Sequence, residues 1–147
     1  MGKIVYQEID LTLASDATQD IWSIVGTAAK QIRMHGWELT SEAVAAAMIH
    51  LQFHRITASG SVGAASATEE LADEEYAAHV GVFRTEDTTP GADGSGMMGY
   101  KWEQLGPVGH VWTPEMRPIA KVSEGFALTM NTAATPVLAG WVCWEEI

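Results

Sequence analysis

His50 and His54 stand four residues apart, and they are the first pair in this chain whose type and spacing could hold a metal. On a helix the two imidazoles would share a face, as in zinc hydrolases. Those enzymes follow the first histidine with a glutamate that serves as base, and here Leu51 occupies that place. On a strand the rings would share a face but lie about 13 Å apart, too far to chelate one ion easily. The His-x-His core of metal-dependent jelly-roll enzymes does not occur. Glu69–Glu75 packs five carboxylates into seven positions, but it lacks the alternating Asp/Asn and the glycine of an EF-hand loop and reads as a solvated face. Gly-x-Ser-x-Gly, Walker A and Rossmann glycine patterns are missing, and Gly94-Ser95-Gly96 has loop composition. Cys143 sits among Trp141, Val142 and Trp144, the setting of a buried, inert thiol. The residues therefore predict no catalytic group, no metal and no cofactor.

Aromatic side chains are the remaining source of chemistry. Six tryptophans are many for 147 residues, and a β domain of this size seldom needs that number for its own core. Trp102 and Trp112 fall in stretches read as irregular or only briefly extended. They could stack on sugar rings, anchor loops or fill a subunit seam. The last two readings are favoured, and Trp102 and Trp112 are the candidate partner-contact residues.

Composition narrows the partner. Nineteen acidic against eight basic residues give a net charge of -11, which disfavours a phosphate backbone and fits solubility or a partner with a basic patch. Nucleic acid and membrane are not expected as partners. One cysteine excludes an internal disulfide. The opening MGKIVYQEID is not a signal peptide, no apolar run reaches spanning length, and Tyr6 breaks the myristoylation pattern, so synthesis in a cytoplasm is expected.

The elements that must position these residues are read as short strands. Lys3–Ile9 is rich in β formers, with Leu11 and Leu13 as an extension. Ser15–Thr18 is a turn cluster, and Ile21–Val25 a strand closed by Gly26. Ile32 and Met34 alternate with Gln31, Arg33 and His35. After Gly36 the apolar phase moves to Trp37 and Leu39, which predicts a β-bulge at the glycine. Residues 41–58 fit both periods. Val44, Ala47, Met48 and Leu51 have helical spacing, while Ile49, Leu51 and Phe53 alternate with His50, Gln52 and His54. A strand from about residue 46 to 57 is favoured. Residues 59–68 and 86–96 read as loops, 69–78 as a surface helix or solvated loop, Val80–Arg84 and Gly99–Glu103 as strands, and 106–118 as ordered and irregular. Phe126–Met130 and Val137–Trp144 flank a turn-rich Asn131–Pro136. A chain that stops in a Trp-rich strand is expected to end inside its own sheet.

Short strands with Gly/Pro turns and no regular strand–helix alternation predict one all-β domain over residues 1–147, an antiparallel β-sandwich. An α+β fold is the alternative. The predicted core is Ile32, Met34, Leu39, Ile49, Leu51, Phe53, Phe126, Leu128 and Met130.

The order DIWSIVGTAAKQIRMHGWELT, a strand ending RITASGS, a Gly-rich loop, the Gly-x-x-x-x-x-Trp-Thr-Pro-Glu of Gly106–Glu115 and EGFALTMNTAATPVLAGWVCWEE resembles head decoration or cement proteins of tailed bacteriophages. The likeness runs from about Asp20 to Glu146 and rests on pattern and order. It does not include residues 41–47 or the acidic stretch. It implies a jelly-roll-like β fold, attachment to the exterior of an assembled capsid through the major capsid protein, a homo-oligomer that is often a trimer, and neither cofactor nor catalysis. The other function weighed is a carbohydrate- or receptor-binding β-sandwich, as in a head or tail fibre, with Trp102 and Trp112 as its stacking surfaces.

Overall fold

The computed structural model describes residues 3–13, 18–61, 63–65, 70–71, 81–132 and 136–147. Among these residues, eleven strands form two antiparallel sheets: β1 (Lys3–Thr12), β2 (Gln19–Val25), β3 (Ile32–Ser41), β4 (Met48–Ala58), β5 (Ala64–Ala65), β6 (Glu70–Leu71), β7 (Val82–Asp87), β8 (Ala92–Glu103), β9 (Val108–Val111), β10 (Gly125–Met130) and β11 (Val137–Glu146). One sheet has the order β6-β1-β11-β3-β9, the other β5-β7-β2-β10-β4-β8. With β5, β6 and β7 set aside as an insertion, the chain changes sheet at every step except from β4 to β8, which pair directly. This is the connectivity of a jelly roll. β11 lies between β1 and β3, inside its sheet.

The core is the space between the sheets, and all nine residues predicted for it are buried there. Phe53 is its hub, with ring centroids 5.0 Å from Trp112, 5.3 Å from Phe126 and 6.1 Å from Trp22. Phe83 stacks on Trp144 at 5.2 Å. Five of the six tryptophans are buried, all but Trp141. The expectation that a domain of this size has tryptophan to spare is thereby corrected: two facing sheets about 10 Å apart leave a slab that large rings fill.

The bulge at Gly36 is present. Cys143 pairs with Gly36 and Trp144 with Met34, so His35 is the extra residue, and the buried face passes from Ile32 and Met34 to Trp37 and Leu39. A side chain at residue 36 would meet the His110 carbonyl oxygen at 2.9 Å, so glycine lets β9 approach at the bulge.

Ser41 ends β3, residues 42–47 are neither helix nor strand, and β4 opens at Met48. The loop expected over 86–96 is mostly strand. β7 runs to Asp87 and β8 begins at Ala92. Its glycines misled because Gly94 marks close packing: a Cβ there would sit 2.8 Å from the Arg55 carbonyl oxygen. Within 59–68, Ala64–Ala65 pairs with β7. Within 106–118, β9 and a 3₁₀ turn at Pro114–Met116 replace the irregular segment. The Ser15–Thr18 turn lies outside the described residues except for Thr18, and the acidic stretch does so except for the backbone of Glu70–Leu71.

Candidate functional site

The residues singled out in the sequence do not meet in one place. Trp102 lies within β8 and not in an irregular or briefly extended segment, and Trp112 directly follows β9. They are 4% and 7% exposed. The Trp102 indole N–H donates to the Gly106 carbonyl at 2.7 Å and ties down the turn after its own strand. Trp112 packs between Phe53 and His110. Neither ring offers a face to a sugar or a partner. Cys143 is buried, and burial raises its thiol to about 11, so the thiolate is scarce at neutral pH. His50 is exposed while His54 is buried.

His54 belongs to a hydrogen-bonded chain on the outer face of the six-stranded sheet. Thr129 on β10 donates its hydroxyl hydrogen to Asp20 on β2 at 2.6 Å. His54 Nε2 lies 2.6 Å from the same hydroxyl oxygen, and His54 Nδ1 lies 3.3 Å from Asp93 on β8. The Gly91 N–H donates to the other oxygen of Asp20 at 2.8 Å. Beside them Arg84 holds Asp87 in a two-pronged ion pair at 2.8 and 2.9 Å. The order hydroxyl, imidazole, carboxylate is that of a nucleophile, its base and an orienting group. Here the hydroxyl hydrogen goes to Asp20 and not to the imidazole, and Thr129 is buried. What this chain does is hold: it fastens β8 and the turn before it onto β2, β10 and β4. Burial raises the Asp20 pKa, with nearby Asp87 adding to it, against the opposing pull of the Thr129 and Gly91 hydrogen bonds and of His54.

The outer face of the five-stranded sheet is open. Trp141 on β11 pairs with Glu8 of β1 on one side and Glu38 of β3 on the other. Directly paired residues project on the same face, so a half-buried indole lies between two exposed carboxylates. Asp10, Ala139 and Thr40 form the next row, all exposed, and Tyr6 stands beyond Cys143. Arg33 and His35 reach Glu145 at 3.1 and 3.2 Å farther along this face. Burial raises the Glu145 pKa, but the His35 hydrogen bond and the Arg33 guanidinium outweigh it and the net shift is downward. Burial lowers that of His35. A flat indole flanked by carboxylates suits a cationic partner: Lys or Arg side chains meet both a ring face and opposite charge. Sequence reasoning passed over Trp141, although the alternation of Val142 and Trp144 with Trp141 and Cys143 was the signal that would have found it.

No protein-family model matches the chain, and searches of curated proteins and of solved structures return no match.

Proposed function

We propose that this chain is a non-enzymatic structural virion protein that decorates the exterior of an assembled phage capsid as a homo-oligomer, a trimer by family resemblance. The observation that carries the reading is the solid interior. Jelly rolls serve as capsid components, lectins and metal enzymes, and in this one the space between the sheets is taken by Trp22, Trp37, Phe53, Phe83, Phe126 and Trp144, all buried. Recognition then belongs to the surface. The Glu8–Trp141–Glu38 row supplies a flat, acidic, aromatic face for a basic patch on the major capsid protein. The sugar-binding alternative loses the residues that supported it, because Trp102 and Trp112 are buried.

Cosedimentation with capsids from the phage that encodes the chain tests the reading. The protein is expected to pellet with capsids at saturable stoichiometry and to be released by salt, since exposed charge contacts are screened. Trp141→Ala is expected to weaken pelleting about tenfold or more with the melting temperature little changed, in line with a central aromatic contact. Failure to pellet, combined with retention on a glycan array, would replace this reading with the carbohydrate-binding one.

A further inference from the structure

The six-stranded sheet ends on one side in a long strand with a single neighbour. β8 pairs with β4, and among the described residues no strand pairs with its other edge. The other sheet ends are short: β5 and β6 have two residues each and β9 has four. Proteins blunt exposed edges with bulges, charge or proline, and β8 is blunted only in part. Between Ala92 and Met98 its register with β4 shifts three times. Six consecutive pairs then follow without a shift, from Met98 against Phe53 to Glu103 against Met48. That half has the length of an ordinary strand and contains no proline. Alternate residues of such an edge point their N–H and C=O groups away from the sheet.

The side chains of this half divide between two faces. Met98, Tyr100 and Trp102 pair with the buried Phe53, Leu51 and Ile49 and face inward, and Gly99, Lys101 and Glu103 face outward. Met98 and Tyr100 are only half-buried, and with Met97 and Val108 they pack on the core beside the outermost strands β8 and β9. Gly99 has no packing reason within the chain, since a Cβ there would meet nothing within 4 Å. Over it lies a shallow cleft of about 330 Å³, with His50, Gln52, Lys101 and Asn131 in its lining and no carboxylate. None of the ion pairs among the described residues involves Lys101. The carboxylates of this outer face are committed elsewhere. Glu103 accepts from the Ala47 and Leu105 amides, Asp20 from Thr129 and Gly91, and Asp93 lies 3.3 Å from His54.

We propose that the edge of β8 over Met98–Glu103 receives an extended segment of another protein, which adds a strand to the six-stranded sheet. The segment carries apolar side chains at alternate positions, which cover Met98 and Tyr100, and a carboxylate between them, which enters the cleft beside Lys101. Main-chain hydrogen bonds hold a strand added in this way, and its alternate side chains select it. A carboxylate in the cleft meets an ammonium group and the neutral amides of Gln52 and Asn131. Trp141 lies on the outer face of the other sheet and suits a cation, so the donor of this segment is a different protein from the one met there. The inference does not rest on capsid decoration.

The test is fluorescence anisotropy of labelled synthetic peptides titrated with the full chain. The probe alternates valine and glutamate over about seven residues, enough to span the regular half of β8. A control alternates valine and lysine. Two further Val-Glu probes carry N-methyl groups on alternate amides, one probe for each edge of the peptide. The Val-Glu probe is expected to bind, and the Val-Lys control to bind about tenfold or more weakly. Lys101→Glu is an exposed change whose folding circular dichroism checks. It is expected to weaken Val-Glu binding about tenfold or more and to reverse the preference. Methylating one edge of the probe is expected to abolish binding and methylating the other to spare it, because an added strand uses one row of its amides. No binding of the Val-Glu probe, an unchanged preference in Lys101→Glu, or equal effects of the two methylated probes would each overturn the inference. So would a dimer of the chain, seen in sedimentation velocity, that Lys101→Glu dissociates, since β8 would then pair with its own copy. None of these outcomes decides capsid pelleting, which is read separately.

Discussion

The outer faces of the two sheets use similar groups to opposite ends. On the six-stranded sheet, a carboxylate, a hydroxyl and an imidazole are buried together, and Asp20 has neutral donors to oppose its burial while the neighbouring Asp87 carboxylate adds to it. On the five-stranded sheet, Glu145 has a guanidinium and an imidazole within 3.1 and 3.2 Å and keeps partial contact with water. Burial pushes both carboxyl groups toward protonation, yet only Asp20 ends up raised, because among the described residues no guanidinium meets it at hydrogen-bond distance as Arg33 meets Glu145. The difference teaches how the fold divides its work. One face is closed by its polar groups and spends them on fastening strands. The other remains exposed around Trp141.

The comparison can be broken from the inside first. Leu128 and Thr129 are neighbours on β10, and Leu128 lies in the core while the Thr129 hydroxyl serves the outer chain. Leu128→Ala is expected to cost about 2–5 kcal/mol in urea unfolding as a core truncation. Trp112→Ala falls in the same class, about 3–5 kcal/mol, since its ring packs on Phe53. Thr129→Val keeps the shape but leaves Asp20 and His54 each short of a buried partner, at an expected cost of about 1–3 kcal/mol. On the open face, Trp141→Ala is expected to cost under about 1 kcal/mol, the scale of a cross-strand pair contact.

The pH dependence sharpens the same contrast, because the signs differ. Asp20 is raised above its ordinary 3.8, so its contribution is fully present below that value and is lost as pH rises through the folded-state value. Glu145 is lowered from 4.5, so its contribution is present above that value and lost as pH falls through its folded-state value. His35, lowered from 6.5, likewise contributes above 6.5 and loses that contribution with falling pH. Melting curves of Asp20→Asn and Glu145→Gln against the wild type from about pH 3 to 7 should therefore diverge in opposite directions. Asp20→Asn should gain relative to the wild type as pH rises, and Glu145→Gln should lose. Parallel curves for the two variants would remove the contrast.

Much of the sandwich was legible because one-sided burial enforces alternation: β3 and β4 announce their inward residues, and even the bulge at Gly36 shows as a change of phase. β10 is buried on both faces, yet Phe126, Leu128 and Met130 still alternate with Ala127 and Thr129. β8 was not legible. Its first half is Asp, Ser and Gly because it crosses β4 at close quarters, and that composition is the same as a loop's. The polar chain was invisible for another reason. Asp20, His54 and Thr129 lie 75 and 109 residues apart in their hydrogen-bonded pairs, and no local pattern marks a contact of that range. The tryptophans were misassigned because counting rings does not tell which face of a strand carries them. Trp102 and Trp112 went inward, and Trp141, which alternation placed outside, was overlooked.

The most direct test of the central claim, that the open face of the five-stranded sheet is the contact surface, is photo-crosslinking to capsids from one position on each face. A benzophenone side chain replaces Trp141 in one protein and Gln52, on the outer face of β4, in the other. Crosslinks to the major capsid protein are expected from position 141 and none from position 52. Crosslinks from position 52 alone, or from neither position on capsids that pellet the protein, would contradict it.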